Sequence, residues 1–378
     1  MSIDVPPLLP NRDLAIDADP RRPPSGTAKR ASIGAVAALA GVSSGTVSNA
    51  LNHPERVRQD TRERVAAAVQ KLGYVRNESA RHLRAGSSRT LGMLVLDAWN
   101  PFFTDMARGV EDVALDRGWT LFFANSHRDA RREATYLREF AERRVAGLLV
   151  SPCVDLTEAL GRLRESGIES VVLDQCATDP EALSVSLDDV EGGRIAVSHL
   201  LAIGHRQIGF VGNPNTVSQV HDRFRGGRIA LRAAGLAGQI FVIVPPDLTV
   251  DGGVDAGRRI LALPKDRRPT ALFAASDVVA IGMLHELIRA GVRVPDDIAI
   301  IGYDDIAFAK QVLVPLTTVR QPAYDMGRVA AEMLLTRLEG EPVARPHHVF
   351  QPELVVREST RVTPLHDDTR EGEAPRAT

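Results

Sequence analysis

The residues best suited to chemistry fall into two groups. Asn100, Asp174 and Asp277 each follow a short apolar run, Leu91–Leu96, Ser170–Leu173 and Ala271–Ala274. Arg223 opens an amphipathic stretch, and Phe102 and Phe103 follow Asn100 directly. An amide, two carboxylates, a guanidinium and aromatic faces just past the carboxyl ends of strands are equipment for holding a small polar molecule. The same residues have plainer uses: Asp174 and Asp277 suit helix N-caps, Arg223 suits an ion pair with Asp222 or another acid, and Phe102 suits a core. The second group is basic: Arg56, Arg58, Arg62, Arg64, Arg76, Arg81 and Arg84. Several of these together suit phosphates, although any single one equally suits a solvated face.

Charge separates the two groups. The chain has 378 residues and a net charge of −2. Residues 29–90 hold 11 Lys and Arg against 4 Asp and Glu, whereas the rest is acidic. A small basic unit on a larger acidic one predicts that the first meets a polyanion and the second does not. Enzyme signatures are weak. His199, His205 and His221 have no zinc spacing, no nucleophile elbow occurs, and the Gly pairs lack dinucleotide-loop spacing. No cofactor, metal or catalytic residue is expected. Cys153 and Cys176 exclude a disulfide framework and read as inert thiols before a redox pair. No run approaches the length of a membrane helix and no secretory signal precedes the basic unit, so a cytoplasmic protein without membrane contact is expected.

The elements that must position these residues change character along the chain. Residues 1–28 and 363–378 read as a disordered extension and tail. In 29–75, Ser32 and Ser43 are candidate N-caps and Gly41 and Gly73 candidate stops. Ile33, Val36, Ala37 and Ala40, then Val47, Ala50 and Leu51, then Thr61, Val65, Ala68, Val69 and Leu72 form three inward faces. Two short helices across a Gly turn, braced by a third, predict a helix-turn-helix. Residues 76–89 are a basic linker able to form a helical turn or two. From Thr90, eight short apolar strands alternate with amphipathic helices. That pattern predicts an α/β class, with two doubly wound parallel lobes favoured over a (β/α)₈ barrel.

Six blocks in order resemble the LacI/GalR family of bacterial transcription regulators. They are Ile33–Asn52, Thr61–Val65 with Leu72-Gly73-Tyr74, Asn77–Leu83, Asp97–Phe103, Gly302-Tyr303-Asp304-Asp305, and Thr317–Pro322. The resemblance spans roughly residues 30–360. It implies an all-α helix-turn-helix headpiece on a two-lobed core like periplasmic sugar-binding proteins. The lobes would be 90–188 with 320–340, and 189–319 with 341–362, the chain crossing near Asp188, Val319 and Glu341. It implies a homodimeric regulator, a repressor first, on a pseudo-palindromic double-stranded DNA operator, with a sugar-type effector between the lobes. A nucleoside, purine or phosphorylated corepressor is the alternative.

By that resemblance Ser44, Gly45 and Asn49 sit at base-reading positions, with Asn49 where an Arg is common. Asn suits adenine where Arg suits guanine, so a different half-site is expected. Ser43, Thr46 and Ser48 suit phosphate positioning or capping. Asn77, Ser79, Ala80 and Leu83 fall in the hinge, where Leu83 would wedge into the minor groove. Asn100, Asp174, Arg223 and Asp277 match effector-binding positions, and Phe102 and Phe103 the ring-covering region. Ser276 stands where relatives often have Asn, and Trp99 is unusual at its place.

Overall fold

The computed structural model describes residues 31–74, 88–236 and 240–361, which fall in two compact units, Met1–Gly86 and Ser87–Thr378. In the first, α1 (Ile33–Ala40) starts at Ser32, whose Oγ accepts the Ala35 N–H at 3.2 Å, and stops at Gly41 with φ +66°. α2 (Ser44–Asn52) starts at Ser43, whose Oγ accepts the Thr46 N–H at 3.1 Å. α3 (Gln59–Leu72) ends at Gly73 with φ +57°. Both glycines supply the left-handed residue that frees a helix C-terminus to turn. Val36, Val47 and Val65 meet in the centre, surrounded by Ala37, Ala40 and Ala68, with Ile33, Val42, Leu51 and Tyr74 around them. Small β-branched and alanyl side chains let three short helices close on one another; alone, none is long enough to persist. Leu72 differs from the expected inward face. It lies in the last turn before Gly73 and is exposed.

The second unit contains two open six-stranded sheets, which excludes the barrel. The first sheet is wholly parallel. Its strands are β1 (Thr90–Val95), β2 (Thr120–Asn125), β3 (Gly147–Val150), β4 (Glu169–Leu173), β5 (Leu183–Leu187) and, late in the chain, β11 (His347–Phe350), in the order β11-β5-β4-β3-β1-β2. Its helices are α4 (Pro101–Asp116), α5 (Ala130–Glu142), α6 (Thr157–Glu165) and α11 (Ala323–Leu338). The second sheet comprises β6 (Ile208–Val211), β7 (Phe241–Ile243), β8 (Ala271–Ala274), β9 (Ala299–Asp304), β10 (Thr317–Arg320) and β12 (Glu353–Val355), ordered β12-β10-β9-β8-β6-β7. Only β12 runs antiparallel there. α7 (Asp189–Ala202), α8 (Ser218–Ala233), α9 (Val250–Ala262) and α10 (Asp277–Arg289) belong to this lobe. The central strands of both lobes are buried on both faces, which explains their continuous apolar runs.

The chain passes between lobes after β5, after β10 and between β11 and β12. The third passage corrects the expected crossing near Glu341, and residues 341–350 stay with the first lobe rather than the second. β11 pairs with β5 from His347 beside Ser184, and the Ser184 hydroxyl bonds His347 Nδ1 at 2.8 Å. Its His-His-Val-Phe sequence lacks strand patterning because it is an edge strand held by polar contacts. β5 escaped the sequence reading although it is an interior strand, because Ser184 and Ser186 interrupt its apolar residues.

Helix pairs in this unit meet at glycines. A Cβ on Gly226 of α8 would lie 1.9 Å from the Val190 carbonyl of α7, and one on Gly193 would lie 1.9 Å from the Arg223 carbonyl. α4 against α11 (Gly109, Gly327) and α9 against α10 (Gly253, Gly282) repeat the device. Close approach of backbones fixes α8, and therefore the helix face that carries Arg223.

Candidate DNA interface and interlobe ligand site

α2 presents Ser44, Gly45 and Asn49 as exposed positions, Gly45 and Asn49 on the side opposite buried Val47. Thr46 is half-buried and its Oγ1 lies 2.9 Å from Ser43 Oγ, so Ser43 and Thr46 brace the helix start. Ser48 is half-buried and partnered. The exposed side chains are small and polar, and a helix with that face can approach the floor of a major groove. Asn77, Ser79, Ala80 and Leu83 lie outside the described residues, as do the two terminal segments.

In the larger unit the strand ends bring a charged cluster together between the lobes. Asp174 follows β4 and Asp304 closes β9, with φ of +63° and +115° respectively. Such angles are uncommon without glycine and recur where side chains are held for function. Asn100 is the N-cap of α4; its Oδ1 accepts the Phe102 N–H at 3.1 Å. Its Nδ2 donates across the lobes to Asp304 Oδ2 at 2.9 Å. Asp304 Oδ1 accepts from Gln321 Nε2 at 2.7 Å. On the other side Gln219 of α8 donates to Asp174 Oδ2 at 3.0 Å, and Ser218 donates to Gln175 at 2.8 Å. Among the described residues, Asn100–Asp304, Gln219–Asp174 and Ser218–Gln175 each tie one lobe to the other.

Arg223 stands among these groups, 5% exposed. Its Nε donates to Asp189 at 2.8 Å and its Nη1 to the Ala275 carbonyl at 2.7 Å, with Asp304 3.9 Å away. Its guanidinium lies over the Tyr303 ring at 3.8 Å. Of the plainer uses foreseen for Arg223, an ion pair is present, but with Asp189; Asp222 meets Arg225 instead, at 3.3 Å. Burial raises the Asp174 carboxyl well above the ordinary range, and repulsion from Asp189 adds to it; Arg223 and Gln219 offset only part. Burial likewise raises Asp189 and Asp304, against the pull of Arg223. Asp174 Oδ1, Gln321 Oε1 and Ser276 Oγ are buried with no hydrogen-bond partner. Unpartnered polar atoms buried at such a place are unmet demand for hydrogen bonds from a bound molecule.

Asp277 is turned away from solvent. It is fully buried at the first turn of α10, where its Oδ1 accepts from Thr318 Oγ1 at 2.7 Å and its Oδ2 from the Ile306 N–H at 2.9 Å. It holds the segment after β9 that carries Asp304 and Asp305. Phe102 and Phe103 are both buried and meet edge-to-face at 5.0 Å. Phe102 also lines a 170 Å³ pocket with Asp304 and Gln321. Trp99 is 82% exposed. Cys153 and Cys176 line another cavity, and burial followed by the Glu133 carboxylate pushes the Cys153 thiol up to about 12. That thiol stays protonated, which suits the inert reading.

Sequence reasoning missed Asp189, Gln219, Asp304 and Gln321 as parts of the cluster. Asp304 and Gln321 stood inside motifs already singled out. Asp189 resembled a helix-start acid, and Gln219 carried no signal.

An Asp174→Asn change tests the electrostatics. The raised carboxyl retains its proton at pH values where the unfolded chain, near pKa 3.9, has released it. Stability is therefore lost as pH rises from that value through the folded pKa. The amide still accepts from Gln219 and carries no charge. The variant is expected to be more stable than wild type at pH 8, on the order of 1 kcal/mol or more, with the gap closing toward pH 4. Urea unfolding at both pH values measures it.

The family model described as bacterial regulatory proteins, lacI family, matches residues 32–77, and one described as periplasmic binding protein-like domain matches residues 197–360. The HTH-type transcriptional repressor PurR of Photobacterium profundum is 36% identical over 333 residues, covering 88% of this chain and 99% of the relative. Among solved structures, the transcriptional regulator CelR–cellobiose complex is 32% identical with TM-score 0.64, over 87% of this chain and 100% of that one. The lac repressor dimer bound to operator and the anti-inducer ONPF is 26% identical with TM-score 0.74, over 88% and 100%. Similarity on this scale runs through the helical unit and both lobes alike: the chain belongs to the LacI family, the DNA-binding transcription regulators, and is not an enzyme.

Proposed function

We propose that this regulator binds a pseudo-palindromic operator as a homodimer and represses, under control of a polyhydroxylated ligand held between the lobes. The observation that carries the ligand class is the interlobe cluster. Asp174 offers a buried, unpartnered oxygen, Gln321 a second acceptor, and Arg223 a fixed donor array. Neighbouring hydroxyls, each able to donate and accept, complement such a mixture. The cellobiose-bound relative supports this reading. A nucleobase corepressor is the second reading, favoured by the relatives named PurR. A ligand touching both lobes would set the angle between them and so the spacing of the two hinges. Coupling is reciprocal, so an inducer must bind the operator complex more weakly than the free protein.

For the dimer, support comes from the edge strands. β2 exposes Phe122 and Phe123, and β7 exposes Phe241 and Val242. Apolar edges left open invite association, and a two-fold partner would cover them. On DNA, Ser44 and Asn49 read bases, Gly45 stands at a base-reading position without a side chain, Ser43, Thr46 and Ser48 position phosphates, Asn77, Ser79 and Ala80 belong to the hinge, and Leu83 wedges the central step.

The first test is selection of the full-length protein on a random duplex pool at near-physiological salt, without and with mixed monosaccharides, disaccharides and nucleobases. An enriched palindrome supports the operator reading; none under any condition removes it. Calorimetry against the same compounds, singly, then decides between sugar and nucleobase. Asn49→Ala is expected to weaken binding to the selected site by about 1–3 kcal/mol and relax preference at one position per half-site. A uniform loss on selected and scrambled DNA would assign Asn49 to phosphate contact instead.

A further inference from the structure

A cavity of 440 Å³ adjoins the interlobe cluster, sharing Gln175 and Ser218 with it but none of its ion-paired residues. Its walls are α6, the segment after β3 (Pro152–Leu156), the segment between β4 and β5 (Gln175–Ala182) and Thr216–Ser218 of the second lobe. The floor is apolar, from Leu160, Val172, Leu183 and Val217. We propose that it is a second small-molecule site, taking an amphipathic amine with a flat apolar body, and that its occupant bridges the two lobes.

Three observations carry this. The volume falls in the range of small-molecule sites. The rim is acidic: Asp155, Glu169, Asp179 and Glu181 line it with Arg164, which Asp179 approaches at 3.4 Å and Glu181 at 3.8 Å, while Arg337 reaches Glu169 from outside the lining at 3.7 Å. Arg164 is therefore neutralised, and the surplus of carboxylates favours a cationic head and opposes an anionic one. The third is Gly161. A glycine inside a helix costs about 1 kcal/mol relative to alanine. The glycine pairs between helices in this unit are explained by backbone contact, but a Cβ on Gly161 would meet nothing within 4 Å. Neither backbone angle nor packing requires it; it keeps the cavity wall open. Because Thr216–Ser218 close one side, beside the Gln175–Ser218 hydrogen bond, an occupant touches both lobes at once.

Tryptamine and indole-3-acetate share one body and carry opposite charges, so they are the probes. Full-length protein is titrated with each by calorimetry, and alkylation of Cys176 by iodoacetamide is followed in parallel. Cys176 is exposed at the cavity wall, whereas Cys153 is held protonated and serves as the unlabelled control. Tryptamine is expected to bind saturably below millimolar concentration and slow Cys176 alkylation at least threefold, with indole-3-acetate at least tenfold weaker. Gly161→Met and Ala177→Phe, each checked for folding by circular dichroism, fill the space in different ways. Either is expected to lower tryptamine affinity at least tenfold. Equal binding of the two probes, binding without protection of Cys176, affinity unchanged in a folded cavity-filling variant, or no submillimolar binding would each overturn the proposal.

Discussion

Arg223→Leu is expected to destabilise the larger unit by about 3–5 kcal/mol, the cost of leaving a buried carboxylate without its partner. Asp189 would lose its 2.8 Å bond, and Asp304 and Asp174 would lose the one positive charge among them. The Ala275 carbonyl would lose its donor as well. Arg225→Leu on the same helix is the control. Arg225 meets Asp222 at 3.3 Å with both side chains substantially exposed, and its loss should stay within about 1 kcal/mol. Denaturant unfolding of both variants supplies the comparison. Similar small losses would show that the cluster is hydrated and carries little stability. Where the Arg223 variant remains folded, ligand response should disappear while the helical unit retains its helicity.

Glycine-to-alanine changes at two helical sites should have opposite signs. Gly226→Ala sets a methyl 1.9 Å from the Val190 carbonyl, and neither backbone can yield without separating α7 from α8. A loss of about 3 kcal/mol or more is expected, at the upper end of overpacking costs. Gly161→Ala meets no atom and removes the helix penalty of glycine, so a gain of about 0.5–1 kcal/mol is expected. Thermal and denaturant unfolding measure both. A neutral Gly226→Ala would mean that the α7–α8 approach is loose. Arg223 would then be less rigidly held, because it rides on the same helix face.

Local patterning made much of the architecture readable. Ser32, Gly41, Ser43 and Gly73 act where short-range chemistry says they should, because caps and left-handed stops depend on a few neighbouring residues. The apolar strands of the two lobes were visible because central parallel strands are buried on both faces. β11 was not, since its place depends on Ser184, 163 residues away, rather than on its own composition. Leu72, at the end of the same stripe as Val65 and Ala68, stays 36% exposed.

The sequence by itself determined the helix-turn-helix, the alternation of strands and helices, the family, and the strand-end positions of Asn100, Asp174 and Asp277. These depend on periodicity, on local capping and on motifs short enough to read along the chain. Only the tertiary structure decided which of these residues share a charge environment. It joined Asn100 to Asp304 and Asp174 to Gln219 across the lobes, gave Arg223 to Asp189 rather than Asp222, and turned Asp277 inward to Thr318 and Ile306. Partner choice in a buried cluster depends on three-dimensional distance and on desolvation, and neither is encoded in the spacing of residues along the chain.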